Sequence, residues 1–278
     1  MRLSASSSEA LIRPARVGGG FALTIDDIEQ SHVDLDDPLL IRHEYLRRVA
    51  NVIDVLTPAS TSDGSPSTSC SPAAALRVLH LGAGALTLPR YIQASRPGSE
   101  QTVVEIEPQL VSFVIQQLPL PPGTHLTSIV GDAFAAVEEF PAASFDAVVM
   151  DIFTDVGPVA DLGSIGFYRA ALALLSPTGA LVVNVGDSPG LRLFNRQADF
   201  LEEAAADASL PGVWTLCDAS MLNGKAHGNL VLASGPGLSV KAGADMEAIA
   251  QRWKAAGPHP AAVLAPEETS ELVQRFWA

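Results

Sequence analysis

Three carboxylates stand at the ends of three apolar, β-branched segments of this chain. Glu105 closes the run that begins at residue 102, Asp132 follows the run 125–130, and Asp151 follows the run 145–150. Any one of them could be a solvated acid at a strand end. The carboxyl ends of parallel strands meet at one sheet edge, however, so we expect these three acids to share a crevice. Carboxylates there would accept hydrogen bonds from hydroxyls and attract positive charge.

A glycine turn precedes the acids. Gly82 and Gly84 follow the apolar run 77–81 and lead into a helical pattern. Without a Cβ atom, such a turn lets the backbone and the helix start approach a ligand closely. Glu105 lies 23 residues beyond Gly82. In doubly wound folds an acid about 20 residues after the glycine turn binds ribose hydroxyls, so we predict that role for Glu105.

The ligand indicated by these residues is a nucleoside with a positive charge. The turn has Thr87 where a dinucleotide-binding turn has its third glycine, which makes a pyrophosphate ligand less favoured. Several carboxylates would also repel a phosphate, whereas they would stabilise a sulfonium cation. We therefore predict an adenosyl sulfonium ligand, with Asp132 and the backbone of Ala133 at its adenine and with Gly82 and Gly84 beside it.

Alternating strand and helix patterns must position these residues. They predict an α/β fold with a Rossmann-like, doubly wound and mostly parallel seven-stranded sheet that has an antiparallel edge. A short strand over 21–28 and a helix that starts at Asp36-Asp37-Pro38 and runs to about residue 56 would form an N-terminal extension over residues 1–56. Residues 57–75 contain six Ser, three Thr and three Pro and are predicted to be a linker before the main domain, 76–278. The seven strands are predicted at 77–81, 102–108, 125–130, 145–150, 180–185, 213–216 and 229–233.

The composition excludes some classes of function. With 17 basic and 31 acidic residues the chain has a formal net charge of −14, and no basic stripe for a nucleic acid is visible. Cys70 and Cys217 are far apart and lack metal-ligand spacing, so no metal is expected. The Ser-rich segment 1–10 lacks the apolar core of a signal peptide, and no apolar run approaches 18 residues. We expect a cytoplasmic protein without a membrane partner.

Residues 26–233 resemble the spermidine synthase (polyamine aminopropyltransferase) family, whose domain is a variant of the class I S-adenosylmethionine-dependent methyltransferase fold. Several motifs in the family's order carry the resemblance, and the segment RHEYL at 42–46 is similar to the family's Tyr-His-Glu-Met-Leu. The other matching segments are VLHLGAG at 78–84, VEIEP at 104–108, GDAF at 131–134, FDAVVMD at 145–151, GP at 157–158, FY at 167–168 and LSPTG at 175–179.

The resemblance implies roles for individual residues. Glu105 would bind ribose, Asp132 the adenine, and Asp151 would lie near the transferring group. His43 matches a position near the substrate, although a lone histidine on a helix is more often a surface or core residue. The donor would be decarboxylated S-adenosylmethionine or S-adenosylmethionine, the acceptor a small amine, and the protein a homodimer.

The chain departs from the family pattern on the amine side. The family's glycine loop carries an Asp that grips the aminopropyl ammonium, and this chain has Ala85 there. The Asp that helps to deprotonate the attacking amine aligns with Thr154, so Asp155, one place later, is the candidate base. The tyrosine of the later polyamine-binding loop is hard to find around 220–224, and the N-terminal β-hairpin domain looks shortened.

Three functions are therefore open. An aminopropyltransferase comes first, because the stretch from Asp151 to Tyr168 is similar to the family beyond the generic fold. A methyltransferase of a small acceptor comes second, because Ala85 would tolerate the carboxylate of intact S-adenosylmethionine. A non-catalytic nucleoside-binding protein comes third.

Overall fold

The computed structural model describes residues 1–58, 74–152, 164–239 and 245–277. The chain begins with a three-stranded antiparallel sheet, formed by β1 (Ala10–Pro14), β2 (Phe21–Ile25) and β3 (Ile28–Val33). Asp26 and Asp27 both have positive φ, +47° and +64°, and form a two-residue turn between β2 and β3. The single strand expected over 21–28 is therefore the corner of a hairpin.

The first helix starts later than expected. Asp34 accepts hydrogen bonds from the amides of Asp36 (2.9 Å) and Asp37 (3.0 Å), which makes a turn where a helix cap was predicted. Helix α1 covers Glu44–Ile53. The prediction of a helix from residue 36 was wrong, because this acid cluster satisfies backbone amides locally.

Within the described residues the main sheet has eight strands, which are β4 (Arg77–Leu81), β5 (Glu100–Glu105), β6 (His125–Val130), β7 (Phe145–Met150), β8 (Leu175–Asp187), β9 (Trp214–Asp218), β10 (Gly228–Ser234) and β11 (Ala261–Leu264). Their order in the sheet is β11-β9-β10-β8-β7-β4-β5-β6. The pairs β5–β6, β4–β5, β4–β7 and β7–β8 are parallel, and β8–β10, β9–β10 and β9–β11 are antiparallel. All seven predicted strands are present. The eighth, β11, extends the antiparallel edge.

Helices cover both faces of this sheet, as the doubly wound prediction requires. One core packs α1 and α2 (Thr87–Ser95) against residues such as Val78 and Val149. The other packs α5 (Ile165–Ala173) and α6 (Arg192–Asp207) against residues such as Leu79 and Leu181. Within the described ranges no helix is long and apolar enough to cross a membrane. The helices after α1 are α2 (Thr87–Ser95), α3 (Leu110–Gln117), α4 (Ala133–Ala136), α5 (Ile165–Ala173), α6 (Arg192–Asp207), α7 (Met246–Ala256) and α8 (Pro266–Trp277).

Candidate functional site

The glycine turn between β4 and α2 brings two strand ends together. Gly82 has φ +98°, and a Cβ atom there would lie 2.3 Å from the carbonyl oxygen of Asp151. The amide of Gly82 donates to Val104 O (2.9 Å), and the amide of Asp151 donates to Leu81 O (3.0 Å). Only glycine allows this approach of β4 to the end of β7, so the turn fixes where Asp151 lies.

Three backbone amides, in the turn or just after it, already donate hydrogen bonds to other groups of the protein. Ala83 donates to Glu105 Oε2 (3.0 Å), Ala85 donates to Ser31 Oγ (3.1 Å), and Leu86 donates to Ala83 O (3.0 Å). A phosphate would need such amides to be free. Their internal use agrees with a ligand that carries no phosphate at the turn.

Glu105 lies beside the turn, where a ribose was predicted. Its side chain is 9% exposed, and Oε1 and Oε2 accept from the amides of Glu107 (2.9 Å) and Ala83 (3.0 Å). Burial raises the pKa of Glu105, and the backbone hydrogen bonds oppose that rise. Each carboxylate oxygen has a second acceptor site, which a ribose hydroxyl can use.

Replacing Glu105 by Ala is expected to weaken nucleoside binding by roughly 1 to 3 kcal/mol, because charge-assisted hydrogen bonds to the ribose are lost. Calorimetric titration with methylthioadenosine measures this change. Glu107→Ala is the matched control, since the Glu107 carboxylate accepts from the amides of Ala5 (2.9 Å) and Ser6 (2.6 Å). An affinity that is the same in Glu105→Ala and in the wild type would refute the ribose assignment.

Asp132 and Ala133 lie where β6 ends and α4 begins. Asp132 is exposed, and its Oδ1 caps α4 by accepting from the amide of Phe134 (2.7 Å). Ala133 is buried. The second carboxylate oxygen of Asp132 has no partner among the described residues, so the acid can receive a hydrogen bond from an amino group such as that of adenine.

Asp151 lies at the end of β7 and is held by two neutral donors. Asn184 on β8 donates to Oδ1 (2.8 Å), and the Tyr45 hydroxyl on α1 donates to Oδ2 (3.2 Å). Asn229 on β10 in turn donates to Asn184 Oδ1 (3.1 Å). Burial raises the pKa of Asp151, even though both side-chain hydrogen bonds act to lower it. No Lys, Arg or His of the described ranges pairs with this carboxylate.

Sequence reasoning missed the partners of Asp151. Burial, together with the nearby Asp151 charge and its hydrogen bond, raises the pKa of Tyr45, so its hydroxyl keeps its proton and acts as a donor. Tyr45 belongs to the family-like segment 42–46, at the place of the family's Met, and this change of residue type was the available signal. Asn184 lies near the end of the fifth predicted strand, and an amide there follows the pattern of polar strand ends.

His43 lies next to this cluster at the N-cap position of α1. Its Nε2 is 3.8 Å from Glu29 Oε1, and its ring stacks on that of Tyr45 with 5.9 Å between centroids. Burial lowers the pKa of His43. The predicted contact of His43 with a substrate stays a prediction, and the structure places the ring one side chain away from Asp151.

A small cavity of about 30 Å³ opens between the end of β4 and helix α1. Its wall includes Tyr45, His80, Gly82, Gly84 and Asp151. The volume is enough for one or two groups the size of a water molecule. Within the described ranges, no group of three or more His, Cys, Asp or Glu residues could hold a metal ion. The candidate base Asp155 and its neighbour Thr154 lie outside the described residues.

The fold was compared with those of known proteins. No family model and no curated protein matches the chain. A probable spermidine synthase from Corynebacterium glutamicum ATCC 13032 has a similar solved structure, with a TM-score of 0.76, 25% identity, and coverage of 96% of this chain and 90% of that one.

Two further solved structures are similar in fold. A spermidine synthase in complex with the transition state analogue AdoDATO has a TM-score of 0.56 and 13% identity, and covers 99% of this chain and 82% of its own. The spermidine synthase from Thermotoga maritima has a TM-score of 0.55 and 14% identity, with coverage of 98% and 81%.

The strand order and the similarity to a solved structure define the class of protein: the chain has the α/β fold of the class I S-adenosylmethionine-dependent methyltransferases. Within that fold its structure is similar to those of spermidine synthases, and a small antiparallel N-terminal sheet precedes the main sheet. The resemblance stated from the sequence motifs is thereby confirmed.

Proposed function

We propose that the protein is a transferase that moves an aminopropyl group from decarboxylated S-adenosylmethionine to a small amine. The observation that carries this proposal is the carboxylate of Asp151, which lies at the crevice without a cationic partner among the described residues. The similar solved structure of a probable spermidine synthase from Corynebacterium glutamicum supports the same class of reaction.

The surroundings of Asp151 favour a cationic ligand. A carboxylate removed from water is costly unless an opposite charge or hydrogen bonds compensate it. Tyr45 and Asn184 supply hydrogen bonds but no charge. An ammonium group of the substrate would supply the missing charge, and it would lower the raised pKa of Asp151.

The chemistry needs few groups from the protein. The nitrogen lone pair of a neutral amine attacks the carbon next to the sulfonium, forming a C–N bond. The C–S bond breaks, its electron pair goes to sulfur, and neutral methylthioadenosine leaves. The new ammonium then gives one proton to a base. Asp151 would hold ammonium ends in line for this attack, and Glu105 and Asp132 would hold the nucleoside, so positioning supplies most of the rate.

Asp155 is the candidate base, from its place in the sequence. Asp155→Asn is expected to lower turnover by about 100-fold or more, because general-base catalysis typically contributes 10²–10⁴-fold. Donor affinity, measured by calorimetry on the same variant, should stay at the wild-type value. Unchanged turnover would exclude Asp155 as the base.

One observation favours methyl transfer as the second candidate. Ala85 is buried where the family has an acid, so this position would not repel the carboxylate of intact S-adenosylmethionine. In that reaction the same nucleoside contacts would serve, and an acceptor would be held in line with the methyl group.

The proposal is tested by product analysis. Purified protein is incubated with decarboxylated S-adenosylmethionine and a set of small diamines, and mass spectrometry follows methylthioadenosine and the aminopropylated amine. A parallel incubation with intact S-adenosylmethionine follows S-adenosylhomocysteine. Formation of methylthioadenosine together with the aminopropylated amine is expected. Formation of S-adenosylhomocysteine alone would overturn the proposal in favour of methyl transfer.

A further inference from the structure

A buried histidine lies two residues before the glycine turn in β4, the middle one of the five strands that pair in parallel. His80 is 4% exposed, and the other residues of β4 after Arg77 are buried and apolar. A polar ring in such a strand is costly unless its nitrogens have partners. His80 also forms part of the wall of the cavity that Tyr45 and Asp151 line.

The hydrogen-bond network fixes the proton on the His80 ring. Gln101 Nε2 donates to the carbonyl of Pro89 (3.0 Å), and a carbonyl can only accept. The amide nitrogen of Gln101 therefore faces Pro89, and its oxygen faces His80 Nε2 at 3.0 Å. An oxygen acceptor there requires that Nε2 carry the hydrogen. In the neutral ring, Nδ1 is then left with a lone pair.

Nδ1 has no hydrogen-bond partner in the described part of the chain. Burial lowers the pKa of His80 to about 4, against a smaller opposing effect of Gln101, so the ring is neutral near pH 7. The cavity wall thus includes two residues that carry hydrogen-bond acceptors, His80 and Asp151, and no Lys or Arg among the described residues. Such a wall favours a small cation over a carboxylate.

We propose that Nδ1 of His80 accepts a hydrogen bond from the terminal ammonium of the decarboxylated donor's tail. The proposal rests on the proposed function and names the group that recognises the donor. A cavity of about 30 Å³ has room for an ammonium head. An amino-acid head would add a carboxylate without a cationic partner there. His80 would thus make the contact to the ammonium group that Ala85, which replaces the family's Asp, cannot make.

Replacing His80 by Leu removes the acceptor and keeps an apolar side chain in the strand. The dissociation constant for decarboxylated S-adenosylmethionine is expected to rise roughly 10- to 100-fold, as for a lost hydrogen bond to a charged group. The constant for methylthioadenosine, which has the same nucleoside and no ammonium, should not change. His125→Leu is the control, since His125 is exposed at the start of β6.

Nitrogen NMR of the wild-type protein with labelled histidine tests the same assignment without a variant. Nδ1 of His80 should carry no proton, and its resonance should shift with the decarboxylated donor but not with methylthioadenosine. A protonated Nδ1 would overturn the assignment. So would an equal fall in affinity for the decarboxylated donor and for methylthioadenosine in His80→Leu. If the wild type binds the decarboxylated donor and His80→Leu binds it equally well, only the assignment of His80 fails. If the wild type binds neither ligand, the proposed function itself fails.

Discussion

Replacing Asp151 by Asn is expected to lower turnover of decarboxylated S-adenosylmethionine by about 100- to 1000-fold, the loss typical of removing one preorganised electrostatic contact. Asn keeps the size of the side chain and removes its charge, so the ammonium groups that we assign to this site lose their counter-charge. The rate of methylthioadenosine formation in the variant and the wild type measures the effect.

Asp146→Asn is the matched control, because Asp146 lies in the same strand, at its other end. Asp146 is 2% exposed and forms an ion pair with Arg77, whose Nη2 is 3.0 Å from Oδ1. This variant should lose stability and keep its turnover per folded molecule. Equal turnover in Asp151→Asn and the wild type would contradict the assignment of Asp151.

The two aspartates should also respond oppositely to pH. Burial raises the pKa of Asp151, so in the range above about pH 4 the folded state binds more protons than the unfolded state. The free energy of unfolding therefore falls as the pH rises through this range. For Asp146, burial acts to raise the pKa, but the Arg77 hydrogen bonds outweigh it and the pKa is lowered. That contribution is present above about pH 4 and is lost as pH falls through the lowered pKa.

Urea unfolding at neutral and acidic pH separates these contributions. Asp151→Asn should be at least as stable as the wild type at neutral pH, and Asp146→Asn should be less stable there. If the charged Asp151 carboxylate lowers the free energy of unfolding, its presence indicates a functional role, such as binding a cation. Strong destabilisation by Asp151→Asn at neutral pH would instead indicate a structural role.

Replacing Gly82 by Ala is expected to destabilise the fold by roughly 2 to 5 kcal/mol, combining a strained positive φ with overpacking. The new Cβ would lie 2.3 Å from the backbone oxygen of Asp151, and backbone cannot move aside as a side chain can. Urea unfolding monitored by tryptophan fluorescence gives the change in the free energy of unfolding.

Two other glycines provide controls for this effect. Gly131→Ala should be nearly neutral, since the nearest atom to its Cβ would be Val104 Cγ1 at 4.0 Å. Gly84→Ala should lie between the two, because φ is +50° and the Cβ would meet the Ser31 side chain at 2.6 Å. If Gly82→Ala were as stable as Gly131→Ala, close approach of β4 and β7 would not be the reason for this glycine.

Much of the fold was predictable because the inner parallel strands, such as β4 and β7, are buried on both faces. Continuous apolar runs such as 145–150 then mark strands directly, and an acid such as Asp151 marks the end of one. The N-terminal sheet was harder. Its apolar alternation continues through the Asp26-Asp27 turn, so two strands resembled one, and the acids around Asp34 form a turn where they could equally have capped a helix.

The candidate site was predictable only where it follows the sheet. Glu105 and Asp132 lie at strand ends, and their places follow from topology. Tyr45 reaches the site because α1 packs against the sheet, and no spacing in the sequence encodes that contact. Asn184 and His80 lie in the strands β8 and β4, but their places beside Asp151 depend on side-chain contacts that the sequence does not reveal. The orientation of the His80 ring in turn depends on Gln101, from a neighbouring strand.

The crevice should bind a nucleoside whose cationic tail lacks a carboxylate. Calorimetric titration of the purified protein with decarboxylated and intact S-adenosylmethionine tests this directly, because the two ligands differ in one carboxylate. We predict clear preference for the decarboxylated form, driven by Asp151 and His80. Preference for the intact form would contradict the proposed aminopropyl transfer and favour a methyltransferase.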